Sequence, residues 1–420
     1  MTPITSEDFF LASGAPHLAL PPGTVFWRAR SLLSSGASVR TSAVWQFVVP
    51  SRDAAIQTAS GYSLDFNGDG HRDLAIWNSA GHVEIHLGGT AGPSNTISGT
   101  LRTTRGTGAS VRLAGDVNGD GFSDLVVSVN ATSTLFLGST DVRADIVGLP
   151  ISVRDATRTT DAIGVGDVNC DGFDDLGVLH DRASGAPEMT ESSIVFGASS
   201  LPSSWVVARS FGAASFLAIQ GAAALNDDAC SDVLVVRTSG VQFYLGARTG
   251  FGGLPLSTVN LFSSLGVGAS FVGDVDGNGR TDVATTFISV LDMTPISDLY
   301  LTPELPPFSR ASQHLSALAP NITPIGDVDN DGFADCVALT ADELRVHRGT
   351  AAGYATTPFA TLPRRAGETV PISSGADFNR DGFDDLVVTS PASLTIYRGA
   401  ATPPLTPLTT IAIPSSTVAF

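Results

Sequence analysis

Residues 116–124 read DVNGDGFSD, and the same nine-residue frame returns along the chain: DFNGDGHRD from Asp65, DVNCDGFDD from Asp167, DVDGNGRTD from Asp274, DVDNDGFAD from Asp327 and DFNRDGFDD from Asp377. A seventh, eroded copy, ALNDDACSD, has Ala224 at the first position and Asp232 at the ninth. First positions fall at 65, 116, 167, 224, 274, 327 and 377, a period of 50–57 residues in a chain of 420. Internal periodicity of this kind decides architecture before any local reading does.

Each copy runs into a short apolar, β-rich stretch: LAIW, LVVS, LGVL, VLVV, VATT, CVAL and LVVT. These are strand signals. A second run follows and usually ends in glycine, at Gly88, Gly138, Gly197, Gly246, Gly349 and Gly399; the fifth copy reads DLYLTP instead. With one strand ahead of the motif and another beyond a Gly/Pro/Thr stretch, each period holds four strands. No segment of the repeat region keeps a 3.6-residue apolar period. Four antiparallel strands, repeated seven times, predict an all-β fold, a seven-bladed β-propeller of four-stranded blades. The expected limits are 52–105, 106–157, 158–212, 213–263, 264–315, 316–367 and 368–420, with the propeller as a whole over 51–420.

The nonapeptide carries the chemistry. Oxygens at positions 1, 3, 5 and 9 can converge on one hard cation, and Gly at position 6 permits the turn that gathers them. The candidate ligands are Asp65, Asn67, Asp69 and Asp73; Asp116, Asn118, Asp120 and Asp124; Asp167, Asn169, Asp171 and Asp175; Asp274, Asp276, Asn278 and Asp282; Asp327, Asp329, Asp331 and Asp335; and Asp377, Asn379, Asp381 and Asp385. So many carboxylates in nine residues repel one another, and a divalent ion is expected to let the loop close. Calcium suits a flexible all-oxygen shell better than magnesium. An EF-hand needs Glu at position 12, where this chain has Ile76, Val127 or Val178 inside a strand. The fourth copy keeps Asn226, Asp228 and Asp232 but lacks a first-position carboxylate, so it is expected to bind metal weakly or not at all.

The pattern of apolar-Gly-Asp-x-Asn/Asp-x-Asp-Gly-Phe-x-Asp, an apolar strand and then apolar-Gly resembles the FG-GAP repeats of integrin α-subunit head domains and of bacterial surface proteins. The resemblance covers residues 52–420. It implies a seven-bladed propeller with about six calcium ions, each in the loop joining the first and second strands of a blade, all on one face. It implies an extracellular or cell-surface binding and adhesion module for a protein or glycan partner, acting as a monomer. Blades four and five depart from the family pattern, in the first loop and in the missing glycine respectively.

Composition bears on partners. The chain has 41 acidic and 23 basic residues, a formal charge of −18, with 43% hydrophobic residues. General disorder is excluded by that apolar content, and a nucleic-acid partner by the surplus of negative charge. Nineteen of the acids are aspartates at ligand positions in the six complete loops, and without them 22 acids face 23 bases. The acidity therefore reports demand for calcium. No run of 18 apolar residues occurs, so no membrane-spanning helix is expected, and the first 20 residues lack the basic start of a signal peptide.

Residues 1–50 are expected to form a linker and a hairpin, with strands at 25–30 and 43–49. The hairpin reads either as a remnant of a fibronectin-III-like module or as a strand on the propeller's edge. Long second-to-third-strand loops at 180–193 and 288–298 flank the eroded blade four, on the face away from calcium. Binding function tends to sit on such loops, although a tolerated insertion has the same appearance. Arginines gather at the blade crossings (Arg102, Arg105, Arg154, Arg158, Arg209, Arg310, Arg364 and Arg365), and with Arg182 they suggest an anion-binding face centred on Arg154, Arg158, Arg182, Arg364 and Arg365. Ordinary rim solubility is the competing explanation.

No HExxH, GxSxG or phosphate-binding glycine loop is present, so no catalytic residue is assigned. The alternative function is a secreted hydrolase or lyase acting on glycans or phosphodiesters. Asp174 and Asp384, each just before a ninth-position ligand, read as solvated neighbours. Cys170 at position 4 of the third loop and Cys230 at position 7 of the fourth share a predicted face; they form either a bridge between blades three and four or, with Cys336, free buried thiols.

Overall fold

In the computed structural model, the described residues are 23–27, 30–32, 38–41 and 45–49, and 64–419 apart from 79–80, 104–108, 144–145, 155, 183–189, 213–215, 227, 229, 249–250, 252–253, 261–263, 290–292, 303–310, 316–317, 319–321, 365–366, 370–375 and 414–417. They contain strands and no α-helix. Blade two is representative. Its inner strand Ser110–Gly115 leads into the motif, then Asp124–Val129, Thr132–Phe136 and Leu149–Pro150 follow in antiparallel order outward. Blades three, four, five and six repeat that order, with inner strands Ala156–Gly166, Phe216–Ala223, Ser264–Gly273 and Ile322–Gly326.

Two blades share the closure of the ring. In blade one, Val418–Ala419 lies inside Leu74–Asn78, at the place of an inner strand. Blade seven is a three-stranded sheet, Leu386–Thr389, Ser393–Arg398 and Thr406–Ala412, with isolated bridges Ala376↔Asp385 and Thr369↔Thr389 on its inner side.

Alternation along each strand places apolar side chains on both faces of each sheet. All of Asp124–Val129 is buried, with Leu125 and Val127 packed toward blade one and Val126 toward blade three. The result is not one core but seven, each between successive blades, and the seventh joins Leu74 and Ile76 of blade one to Val387 and Ile396 of blade seven. Each blade depends on both its neighbours to bury its faces.

The hairpin ahead of the propeller pairs Gly23–Trp27 with Trp45–Val49 and Arg30–Leu32 with Ser38–Thr41. It is one hairpin in two halves, with strands at different limits from the sequence expectation. The long loops of blades three and five are in large part strand. Asp175–Arg182 pairs with Thr190–Val195, and Asp282–Ser289 with Pro295–Tyr300, so both hairpins project away from the nonapeptide loops.

The glycine closing the third strand has a defined reason. A Cβ on Gly138 would lie 2.6 Å from the Ser123 carbonyl oxygen and 2.8 Å from that of Phe66 in blade one. Gly197, Gly246, Gly349 and Gly399 meet the equivalent pair of carbonyls. Blade five, the exception, has Thr302, whose hydroxyl donates to the Thr281 carbonyl and whose amide donates to Asp282. Gly138→Ala is expected to lower the stability of the protein by about 2 kcal/mol in urea denaturation, through overpacking against main chain that cannot move aside.

Candidate metal centre

The ninth-position aspartate is buried in all seven loops. In loop two, Asp124 accepts the Val117 amide at 3.0 Å on Oδ2 and the Gly138 amide at 2.9 Å on Oδ1. Asp73, Asp175, Asp232, Asp282, Asp335 and Asp385 repeat this two-amide clamp, from 2.6 to 3.0 Å. Each carboxylate oxygen has two lone pairs, so the clamp leaves acceptor capacity for a cation.

The remaining positions form a run of tight turns. The first-position carboxylate accepts the amide of the residue at position 6, as Gly121 to Asp116 at 2.8 Å and Gly279 to Asp274 at 2.7 Å. The third-position side chain accepts the amide of position 5, as Asp120 to Asn118 at 3.1 Å. The fifth accepts the amide of position 7, as Phe122 to Asp120 at 3.0 Å. In loops one, two, three, four and seven, the Asn at position 3 also donates its side-chain amide to the carboxylate at position 5.

Oxygens converge most fully in loops five and six. Asp274, Asp276 and Asp282 each offer a carboxylate oxygen within 4.8 Å of the other two, and so do Asp327, Asp329 and Asp335. Asp331 lies outside its group and accepts the Phe333 amide. In loops one, two, three and seven the third ligand position is the amide oxygen of Asn67, Asn118, Asn169 or Asn379. Three buried oxygens at ligand positions, Asp65 Oδ1 and both carboxylate oxygens of Asp329, have no hydrogen-bond partner, and Asp329 Oδ2 is ion-paired to Arg348. A donor set of hard oxygens with unsatisfied lone pairs fits a calcium-like cation.

Electrostatics agree with that fit. Burial raises the proton affinity of these carboxylates: Asp73 to about 7, Asp282 and Asp385 to about 8, and Asp175 to about 9. Burial also raises Asp124 and Asp335 well above the ordinary carboxylate range. Neighbouring carboxylates add to the effect and the amide clamp opposes it.

Several sequence expectations change here. The fourth loop forms the same turns without a first-position carboxylate: Asn226, Asp228 and Asp232 all keep their hydrogen bonds. The amides of Leu225, Asp228, Cys230 and Gly246 hold these side chains in place. Asp384 is buried and Asp174 half-buried, so neither is simply a solvated neighbour. Asp174 Oδ2 accepts the Asp116 amide at 2.6 Å, and buried Asp384 accepts the Asp327 amide at 2.9 Å. Burial raises Asp384 to about 7, with Arg72 opposing. Ser123 and Thr281 accept the amides of Asp65 and Ala224 in the same way. In return, the carbonyl at position 1 accepts the position-8 amide of the next loop, from Ser123 to Asp65 through to Asp384 to Asp327. Position 8 thus braces loop to loop; a small polar or acidic residue there was the available signal.

Cys170 and Cys230 form a disulfide between loops three and four, and Cys336 is free and buried. At two other seams the contact between position 4 and the next loop's position 7 is glycine under an aromatic ring: Phe122 covers Gly68, and Phe333 covers Gly277. The disulfide occupies that same seam.

The arginine face is only partly as expected. Arg209 lies over the Phe211 and Tyr244 rings near the metal-loop end of blade three. Arg364 donates to the carbonyls of Thr340 and Glu368. Arg154 is exposed, and Arg158 and Arg182 occupy strand positions at the end of blade three away from the metal loop. Arg105, Arg310 and Arg365 lie outside the described residues.

Residues 65–127 match the FG-GAP-like repeat, and residues 371–401 the FG-GAP repeat. No curated protein matches the chain. Similar solved structures include an Agrocybe aegerita lectin described as recognising non-reducing terminal N-acetylglucosamine, 13% identical over 84% of this chain and 95% of that one, with a TM-score of 0.49. They also include the WD40 domain of SCAP from fission yeast, 13% identical over 95% and 84% of the two chains, TM-score 0.34. A third is a quinonprotein alcohol dehydrogenase-like protein from Bacteroides thetaiotaomicron, 11% identical over 96% and 92%, TM-score 0.39.

The raised carboxylates set a pH dependence. Asp73, Asp175, Asp282 and Asp385 have folded values of about 7 to 9 against an ordinary 3.8, so their contribution is intact below about pH 4 and is lost as pH rises through the folded values. Each tenfold rise in proton affinity costs the metal-free fold about 1.4 kcal/mol at alkaline pH. In EDTA, the melting temperature is expected to fall between pH 5 and pH 9, and millimolar calcium is expected to flatten that slope.

Proposed function

From a chain that is a β-propeller of FG-GAP repeats, we propose a calcium-stabilised binding module that works at the cell surface or outside the cell and recognises a protein or glycan. The observation that carries this reading is the convergence of Asp274, Asp276 and Asp282, and of Asp327, Asp329 and Asp335, in loops of one repeated design. The six complete loops would each hold one ion through positions 1, 3, 5 and 9, and the fourth would hold none. The ion would supply charge neutralisation and rigidity to the loop ends of the blades. The Cys170–Cys230 disulfide supports an oxidising location.

Recognition is assigned to the opposite end of the propeller. There the hairpins of blades three and five project on either side of blade four, and loops on a rigid scaffold are suited to binding. Arg154, Arg158 and Arg182 are the proposed contacts to an anionic group of the partner.

Two measurements test this. Calcium at a hundred times its dissociation constant stabilises the fold by about 2.7 kcal/mol per site, so the melting temperature should climb with calcium and drop with EDTA; an EDTA-insensitive melt sinks the metal assignment. On an array of acidic polysaccharides, the variant with Arg154, Arg158 and Arg182 all replaced by Ala should lose at least tenfold in signal, and undiminished binding removes those arginines from the interface.

A further inference from the structure

Loop six has carboxylates at all four ligand positions, Asp327, Asp329, Asp331 and Asp335, where the other complete loops have three at those positions. In every other loop the third-position side chain accepts the amide of the fifth residue, at 3.0 to 3.2 Å. In loop six the Asp331 amide bonds to Asp327 at 3.0 Å, and Asp329 faces Arg348, whose Nε lies against its Oδ2. The Asp329 side chain is fully buried, and its Oδ1 has no hydrogen-bond partner.

Arg348 is itself fixed in place. Its guanidinium stands 4.3 Å above the centre of the Phe359 ring, and its carbonyl accepts the Ala355 amide at 2.8 Å. The next residue, Gly349, donates its amide to Asp335 at 2.9 Å. The guanidinium is thus held beside the ligand cluster by the same strand end that clamps the ninth position. The corresponding Arg398 of blade seven is different, meeting partly exposed Asp381 at 3.6 Å, where solvent screens the pair.

We propose that Arg348 determines the cation affinity of loop six, acting as an internal cation that neutralises Asp329 and opposes entry of a divalent ion. The proposal rests on the calcium reading of the loops. A buried carboxylate needs a partner, and guanidinium remains charged at any physiological pH. With Arg348 in place, its guanidinium offsets the additional carboxylate that loop six has at its third position. Without it, Asp329 is buried and unpaired, and the site is more negative. Both changes favour the divalent ion.

The test is calorimetric calcium titration of the full chain, stripped of metal, as wild type, R348Q, R348K and R348M. R348M keeps the aliphatic stem against Phe359 and serves where Gln is not tolerated. R348Q and R348M should show one site gaining about tenfold in affinity and a lower melting temperature in EDTA, while R348K stays near wild type. In a D327A background the gain should vanish, which places it in loop six. Wild type that binds calcium with R348Q and R348M unchanged or weaker overturns the role of Arg348 alone. Wild type that binds no calcium overturns the metal reading as well.

Discussion

A buried aspartate accepting two main-chain amides recurs at Asp73, Asp124, Asp175, Asp232, Asp282, Asp335 and Asp385, and the rest of each blade is arranged around it. One amide comes from position 2 of the loop and the other from the end of the third strand, so a single carboxylate ties the start of the second strand to the end of the third. These bonds form where solvent is excluded. The clamp also explains the glycine at the strand end. The amide must come close to Asp124 while two carbonyls crowd the place of its Cβ. Thr302 shows that a side chain is tolerated only when its hydroxyl bonds to one of those carbonyls.

The clamps become a ring through the braces between loops. Each position-8 amide reaches the carbonyl of the preceding loop's first residue, and Ser123, Asp174, Thr281 and Asp384 return the contact through their side chains. At the seam between blades seven and one this pattern gives way to charge. Position 8 of loop one is Arg72, which interacts with Asp377 and Asp384, and Arg380 lies over Gly70. That is also where the last hydrophobic core closes. Loop four, lacking a first-position carboxylate, is instead joined covalently to loop three. Where one means of holding adjacent loops is missing, another occupies the same seam.

The period was legible because it is local: nine residues and two strands repeat with little change, so blade number and fold class follow from the sequence. The pairing of Cys170 with Cys230 was legible as one of two outcomes, since positions 4 and 7 share a face. What escaped involves two blades at once. Asp174 and Asp384 look solvent-facing in one repeat, and only the neighbouring loop's amide shows their role. Arg364 belongs to a predicted anion-binding face until the Thr340 and Glu368 carbonyls are seen to occupy its donors. Arg348 carries no motif at all, and its importance comes from Asp329 replacing the asparagine that four of the other complete loops have at position 3.

The formal charge of −18 also takes a different meaning. It counts every carboxylate as ionised, yet Asp175, Asp282 and Asp385 are raised to about 8 or 9 by burial, and Asp124 and Asp335 are raised as well. Values of about 8 or 9 favour the protonated form of Asp175, Asp282 and Asp385 at neutral pH in the metal-free fold. Calcium entering such a loop, as proposed, would therefore exchange for protons, and part of its positive charge would compensate carboxylates that ionise as it binds. On that reading the acidity written in the sequence would be a capacity for exchange between protons and a divalent ion. It is gathered into the nonapeptide loops, and the rest of the molecule is left close to electrical balance.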